Sequence, residues 1–182
     1  MNKIIILILI LQAGSLKTFS QNWDKISNKI ASCQKQALLK QNDESNKIFK
    51  YFIKEYDEVR RESRVFERLN IQKCDTIYVL EETDQVSLSL LSTIWTRSSM
   101  LSYSSSYAGC NKYKVELVKE RYFSKRMMDL AFQWNIQEIR KEEKANQTLP
   151  VEIIFLTRII ISGKKPQIDC MIFCDFWNLN HD

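Results

Sequence analysis

Residues 151–177 read VEIIFLTRIIISGKKPQIDCMIFCDFW, and this stretch decides the fold. Gly163-Lys164-Lys165-Pro166 is a turn between two apolar runs, Val151 to Ser162 and Ile168 to Trp177, so the segment predicts a terminal β-hairpin. In an extended chain, successive side chains point to opposite faces. The first run is apolar on both parities, with Ile153, Phe155, Ile159 and Ile161 on one and Ile154, Leu156 and Ile160 on the other. Such a strand is buried on both sides and belongs in the middle of a sheet, beneath helices on one face. In the second run Ile168, Cys170, Ile172, Cys174 and Phe176 share one face, while Asp169 and Asp175 fall on the other.

Upstream, the same period of two recurs from Cys74 to Lys119. Thr76 to Leu80 is β-branched and aromatic, Val86 to Trp95 alternates, Met100 to Tyr107 runs back, and Tyr113, Val115 and Leu117 alternate with Lys114 and Glu116. Short turns at Thr96–Ser99 and Ala108-Gly109 make these three or four strands an antiparallel meander. Before it the period is helical. Trp23, Ile26, Ile30, Cys33 and Ala37 mark one helix, and Phe49, Phe52, Tyr56, Val59 and Phe66 a second, from about Asn46 to Leu69. The polar break at residues 41–45 makes the pair a helical hairpin, and Ile48, Ile53 and Val65 give its second helix a further apolar side for the sheet. A third helix carries Phe123, Met127, Leu130, Ala131 and Trp134 on one face. The predicted fold class is α+β: a helical hairpin, an antiparallel sheet of about five to six strands, and one further helix before the last hairpin.

Met1 to Ser20 has a positive start at Lys3, an unbroken apolar run from Ile4 to Leu11 and small residues at Thr18 and Ser20. This is the pattern of a cleaved signal peptide, and the run is far shorter than the ~20 apolar residues of a membrane-spanning helix. The expectation is a secreted or periplasmic protein of one α+β domain, residues 21–182, with no transmembrane segment after cleavage. The net charge of +5 is a mild excess whose charges alternate in sign, as in Asp57-Glu58-Arg60-Arg61-Glu62, which reads as solvated helix faces and argues against nucleic acid. With three glycines and two prolines, collagen-like and linker-rich classes are excluded.

Five cysteines, Cys33, Cys74, Cys110, Cys170 and Cys174, leave at least one unpaired. Cys170 and Cys174 stand about 13 Å apart along one strand, beyond the roughly 7 Å reach of a disulfide. Both, and Cys33 on its helix stripe, read as buried free thiols; Cys74 and Cys110, near strand starts, are a candidate pair.

Catalytic chemistry is poorly supplied. The single histidine, His181, is penultimate, so paired-histidine metal sites are excluded and no metal or cofactor is expected. Ser162-Gly163-Lys164-Lys165 matches S-x-x-K on a turn, without the partner motifs of penicillin-recognising enzymes. Glu81, Glu82 and Asp84 read as a solvated strand end, and Asp169 and Asp175 as partners of Arg158 in a structural ion pair across the hairpin. The expectation is a non-enzymatic binding or interaction protein, its partner a protein or a small apolar ligand held near Trp95, Tyr103 and Tyr113. The alternatives are an immunity- or inhibitor-type protein and, in another class, a small hydrolase using two carboxylates. Asn146-Gln147-Thr148 is a glycosylation sequon where the host glycosylates exported proteins.

Overall fold

Apolar stripes of helix and strand come together around a six-stranded sheet in the computed structural model, which describes residues 23–40, 46–69, 71, 75–84, 89–108, 112–118, 122–145, 152–162 and 165–174. The chain order is α1 (Trp23–Leu39), α2 (Asn46–Glu62), α3 (Val65–Arg68), β1 (Thr76–Asp84), β2 (Ser89–Trp95), β3 (Met100–Ala108), β4 (Lys112–Val118), α4 (Lys125–Phe132), α5 (Ile136–Ala145), β5 (Glu152–Ile160) and β6 (Gln167–Cys174). The sheet runs β4-β3-β2-β1-β5-β6, every neighbouring pair antiparallel. This is the α+β class read from the sequence. The terminal hairpin pairs Ile153 with Cys174 through to Ile160 with Gln167, and β5 also pairs with β1, which makes it central.

The α1–α2 hairpin covers one face. Ile30, Phe52, Ile53, Tyr56 and Val59 pack there against Ile77, Val79, Ile94, Phe155, Ile159 and Ile172, all buried. Tyr56 meets Phe155 edge-on at 6.3 Å, and Trp23 stacks on Phe66 at 5.1 Å, tying α1 to α3. The second predicted helix is interrupted: Arg64 takes a left-handed conformation (φ 52°), which turns the chain into the single turn of α3.

Helices also cover the opposite face, where the sequence reading had placed none. Tyr78 and Leu80 of β1 and Ile154 and Leu156 of β5 point away from the hairpin, and Phe123, Met127, Ala131 and Ile139 bury them. The predicted single helix is here two, α4 and α5. Ser124 caps α4 by accepting the Met127 N–H at 3.1 Å, and the helix stops at Trp134, whose φ is 54°. Among the described residues no helix is long and apolar enough to cross a membrane. Met1–Ser20, Cys74, Cys110, Asn146, Asp175 and His181 lie outside the described residues, as do the side chains of Tyr113 and Cys174.

Candidate functional site

Two polar arrangements stand out, one sealed and one open. The sealed one corrects the solvated reading of Glu81 and of the charged face of α2. Glu81 shares the parity of Ile77, Val79 and Thr83, so it points into the hairpin layer, and its side chain is fully buried. Arg60, one turn beyond Tyr56, reaches it in a buried ion pair. Gln34 Nε2 donates to Glu81 Oε2 at 2.6 Å and the Tyr103 hydroxyl donates to Oε1 at 3.0 Å. On the other side of Arg60, its Nε donates to Ser27 Oγ at 3.0 Å, and Ser27 Oγ donates to Asp57 Oδ1 at 2.7 Å. Burial pulls the Arg60 guanidinium down, but Glu81, Tyr103 and Asp57 together outweigh it and hold Arg60 above its ordinary value.

Tyr103 and Tyr56 are raised well above the ordinary 10.0, by burial first and then by the Glu81 carboxylate. A phenol raised on folding contributes stability that is whole below the unfolded value and is lost as pH climbs through the folded one. The free energy of unfolding, read from urea titrations, is therefore expected to hold up to about pH 10 and fall above it, by as much as ~1.4 kcal/mol per pH unit for each phenol. Tyr103→Phe is expected to flatten that fall, and an unchanged slope counts against the network as its source.

The open arrangement is a groove of about 600 Å³ that wraps the edge strand β6. Cys33, Gln36 and Ala37 of α1, with Lys40 just beyond its end, form one wall, Trp134 and Arg140 the other, and Arg158 with Ile168–Ile172 the floor. Arg158 and Asp169 face each other in register, with Nη2 at 2.7 Å and Nε at 3.1 Å from Asp169 Oδ2. The Arg158 guanidinium also lies 4.1 Å from the centre of the Trp134 ring, and that of Arg140 4.8 Å from Phe173. A left-handed tryptophan costs roughly 1–2 kcal/mol, and here that conformation holds the indole against Arg158. Arg158→Met is expected to lower stability by about 1–2 kcal/mol, since pair and ring contact go together while the site stays partly solvated. Loss below about 0.5 kcal/mol in urea melts counts against a structural pair.

At the α1 wall, Cys33 Sγ lies 3.7 Å from the Ile168 carbonyl, Cys170 Sγ 4.0 Å from the Ile30 carbonyl and 3.5 Å from Thr157 Oγ1. Both thiols are free and half-buried rather than enclosed. The neighbouring Cys170 thiol holds Cys33 below the ordinary thiol value, whereas burial pushes Cys170 far above it.

The aromatic trio of the sequence reading does not form one site. Trp95 stacks on Tyr78 at 5.4 Å beneath α4, while Tyr103 is buried on the hairpin face with its hydroxyl on Glu81. The register explains the split, since Trp95 stands opposite Met100 and Tyr103 opposite Ser92, whose side chain points away from the Trp95 face. Tyr113 stands in β4 across from Tyr107. Among the described residues, no three His, Cys, Asp or Glu side chains gather as a metal-binding group. Sequence reasoning missed Arg60, Lys40 and Arg140 and misread Glu81; Glu81 carried a local signal, a charge on an apolar parity, and Arg60 its helical spacing from Phe52, Ile53 and Tyr56. No family model, no curated protein and no solved structure matches this chain.

Proposed function

We propose that this chain is an exported, non-enzymatic binding protein that takes an acidic, extended segment of a partner protein in the groove along β6. The observation that carries the reading is the open groove of about 600 Å³ on an edge strand, lined among the described residues by Lys40, Arg140 and Arg158 and by one carboxylate, Asp169. An edge strand offers backbone groups to an added strand, and flanking side chains then select the sequence that is added. The net positive lining selects acidic side chains, and its openness favours a protein segment over a small apolar ligand. An immunity or inhibitor protein acting on an enzyme is one form of this reading. The hydrolase alternative has less support, because the buried carboxylates Glu81 and Asp57 are engaged by Arg60, Gln34, Tyr103, Ser27 and Arg61. Export rests on Met1–Ser20.

Titration calorimetry with a ten-residue peptide of alternating Val and Glu, beside its Val and Lys counterpart, tests the site. The acidic peptide is expected to bind at least tenfold more tightly, and Lys40→Glu with Arg140→Glu to reverse the preference. Equal affinities, or no binding of either, sink the proposal. For export, N-terminal sequencing of protein recovered from the envelope or medium is expected to begin near Gln21; recovery only inside the cell, with Met1 intact, excludes it.

A further inference from the structure

We propose that Cys33 and Cys170 are a disulfide-forming pair that fastens the first helix to the last strand. The two thiols reach past one another: Cys33 Sγ approaches the carbonyl of Ile168, two residues before Cys170, and Cys170 Sγ approaches that of Ile30, one helical turn before Cys33. Crossed contacts of this kind set the two side chains beside one another at the seam between α1 and β6, the arrangement a bridge between them requires. Both residues line the open groove, so an oxidant has access to them. The sequence reading had paired neither, because nothing in a helix stripe and a strand parity says that they meet.

The chemistry follows from their unlike surroundings. Cys33, held in its thiolate form more readily by its neighbour, is the attacking sulfur, and the Cys170 thiol resolves the intermediate. The oxidant is a disulfide, either of a small thiol such as glutathione or of a thiol oxidase. Cys33 gives up its proton and attacks one sulfur of that disulfide, releasing one thiolate and leaving a mixed disulfide. Cys170 then loses its proton and attacks Cys33 Sγ, expelling the second thiolate. Two protein thiols are oxidised to one disulfide, and one external disulfide is reduced to two thiols. The inference stands apart from the partner-binding proposal, since it needs only the α1–β6 contact.

Incubating the folded full chain with oxidised glutathione, followed by alkylation and mass spectrometry without reductant, tests it. The expected result is a mass lower by two hydrogens and a peptide containing Cys33 linked to one containing Cys170. The link is expected to persist in Cys174→Ser and vanish in Cys170→Ser. The oxidised protein is expected to melt roughly 5–10 °C higher than the reduced one, because the bridge closes most of the chain into one loop. Full alkylation of both residues after oxidation, a stable glutathione adduct on Cys33, or linkage of Cys33 to any other cysteine overturns the proposal. The linkage map of the unaltered chain decides the matter even where a variant fails to fold.

Discussion

Arg60→Met is expected to lower the folding free energy by about 3–5 kcal/mol, and Glu81→Leu by as much, while the double variant recovers most of both losses. Each single change leaves one full charge in a fully buried place between α2 and β1. Against a typical total of ~5–15 kcal/mol, that is enough to unfold a marginal domain at 37 °C. The double variant removes both charges together, and with them the desolvation that their attraction only partly repays. Two atoms in the network, Arg60 Nη2 and Gln34 Oε1, are buried with no partner among the described residues, which further reduces what the native pair contributes. Replacing Glu81 by leucine leaves the Tyr103 hydroxyl and the Gln34 amide without their acceptor, so adding Tyr103→Phe is expected to improve the double variant again. Urea unfolding of the two singles, the double and the triple gives the coupling directly. Additive losses in the double variant contradict the ion pair as the source of the cost.

The fold was legible where one physical rule acted alone. Alternation and turn chemistry located the meander and the terminal hairpin, and the two apolar parities of residues 153–160 made β5 central. The register that sets Arg158 beside Asp169 follows from the same hairpin. Legibility failed where two rules competed. Glu81-Glu82-Thr83-Asp84 has the composition of a strand end, yet Glu81 continues the inward parity of Ile77 and Val79, and parity prevailed because Arg60 supplies its counter-charge. Arg60 in turn lies in a run of mixed charge, and only its spacing from Phe52, Ile53 and Tyr56 marks it as inward. The sequence also carried the apolar stripe of Met127 and Ala131, but a stripe does not say which face of a sheet it will cover. The groove and the Cys33–Cys170 contact are products of how α1 docks on β6, a tertiary relation with no periodic trace along the chain.

Phe155→Ala and Leu156→Ala, adjacent in the stretch that decides the fold, are expected to destabilise by about 3–5 and about 2–5 kcal/mol, respectively. Phe155 points into the hairpin layer, edge-on to Tyr56, and is fully buried. Leu156 is equally buried but points the other way, into the layer of Phe123, Met127, Ala131 and Ile139. The second value is the discriminating one. A sheet with helices on a single face leaves Leu156 on an open surface, where truncation to alanine costs within about 0.5 kcal/mol. Burial under α4 and α5 makes the same truncation open a cavity that the two short helices close only in part. The two side chains also belong to separate apolar clusters divided by the sheet itself. Their losses are therefore expected to add within about 0.5 kcal/mol in the double variant, despite adjacency in sequence. A strong coupling between them, or a negligible cost at Leu156, is incompatible with a sheet covered on both faces. Guanidinium unfolding followed by tryptophan fluorescence reads all three variants on one scale, with a destabilisation of this size shifting the midpoint while leaving the slope unchanged.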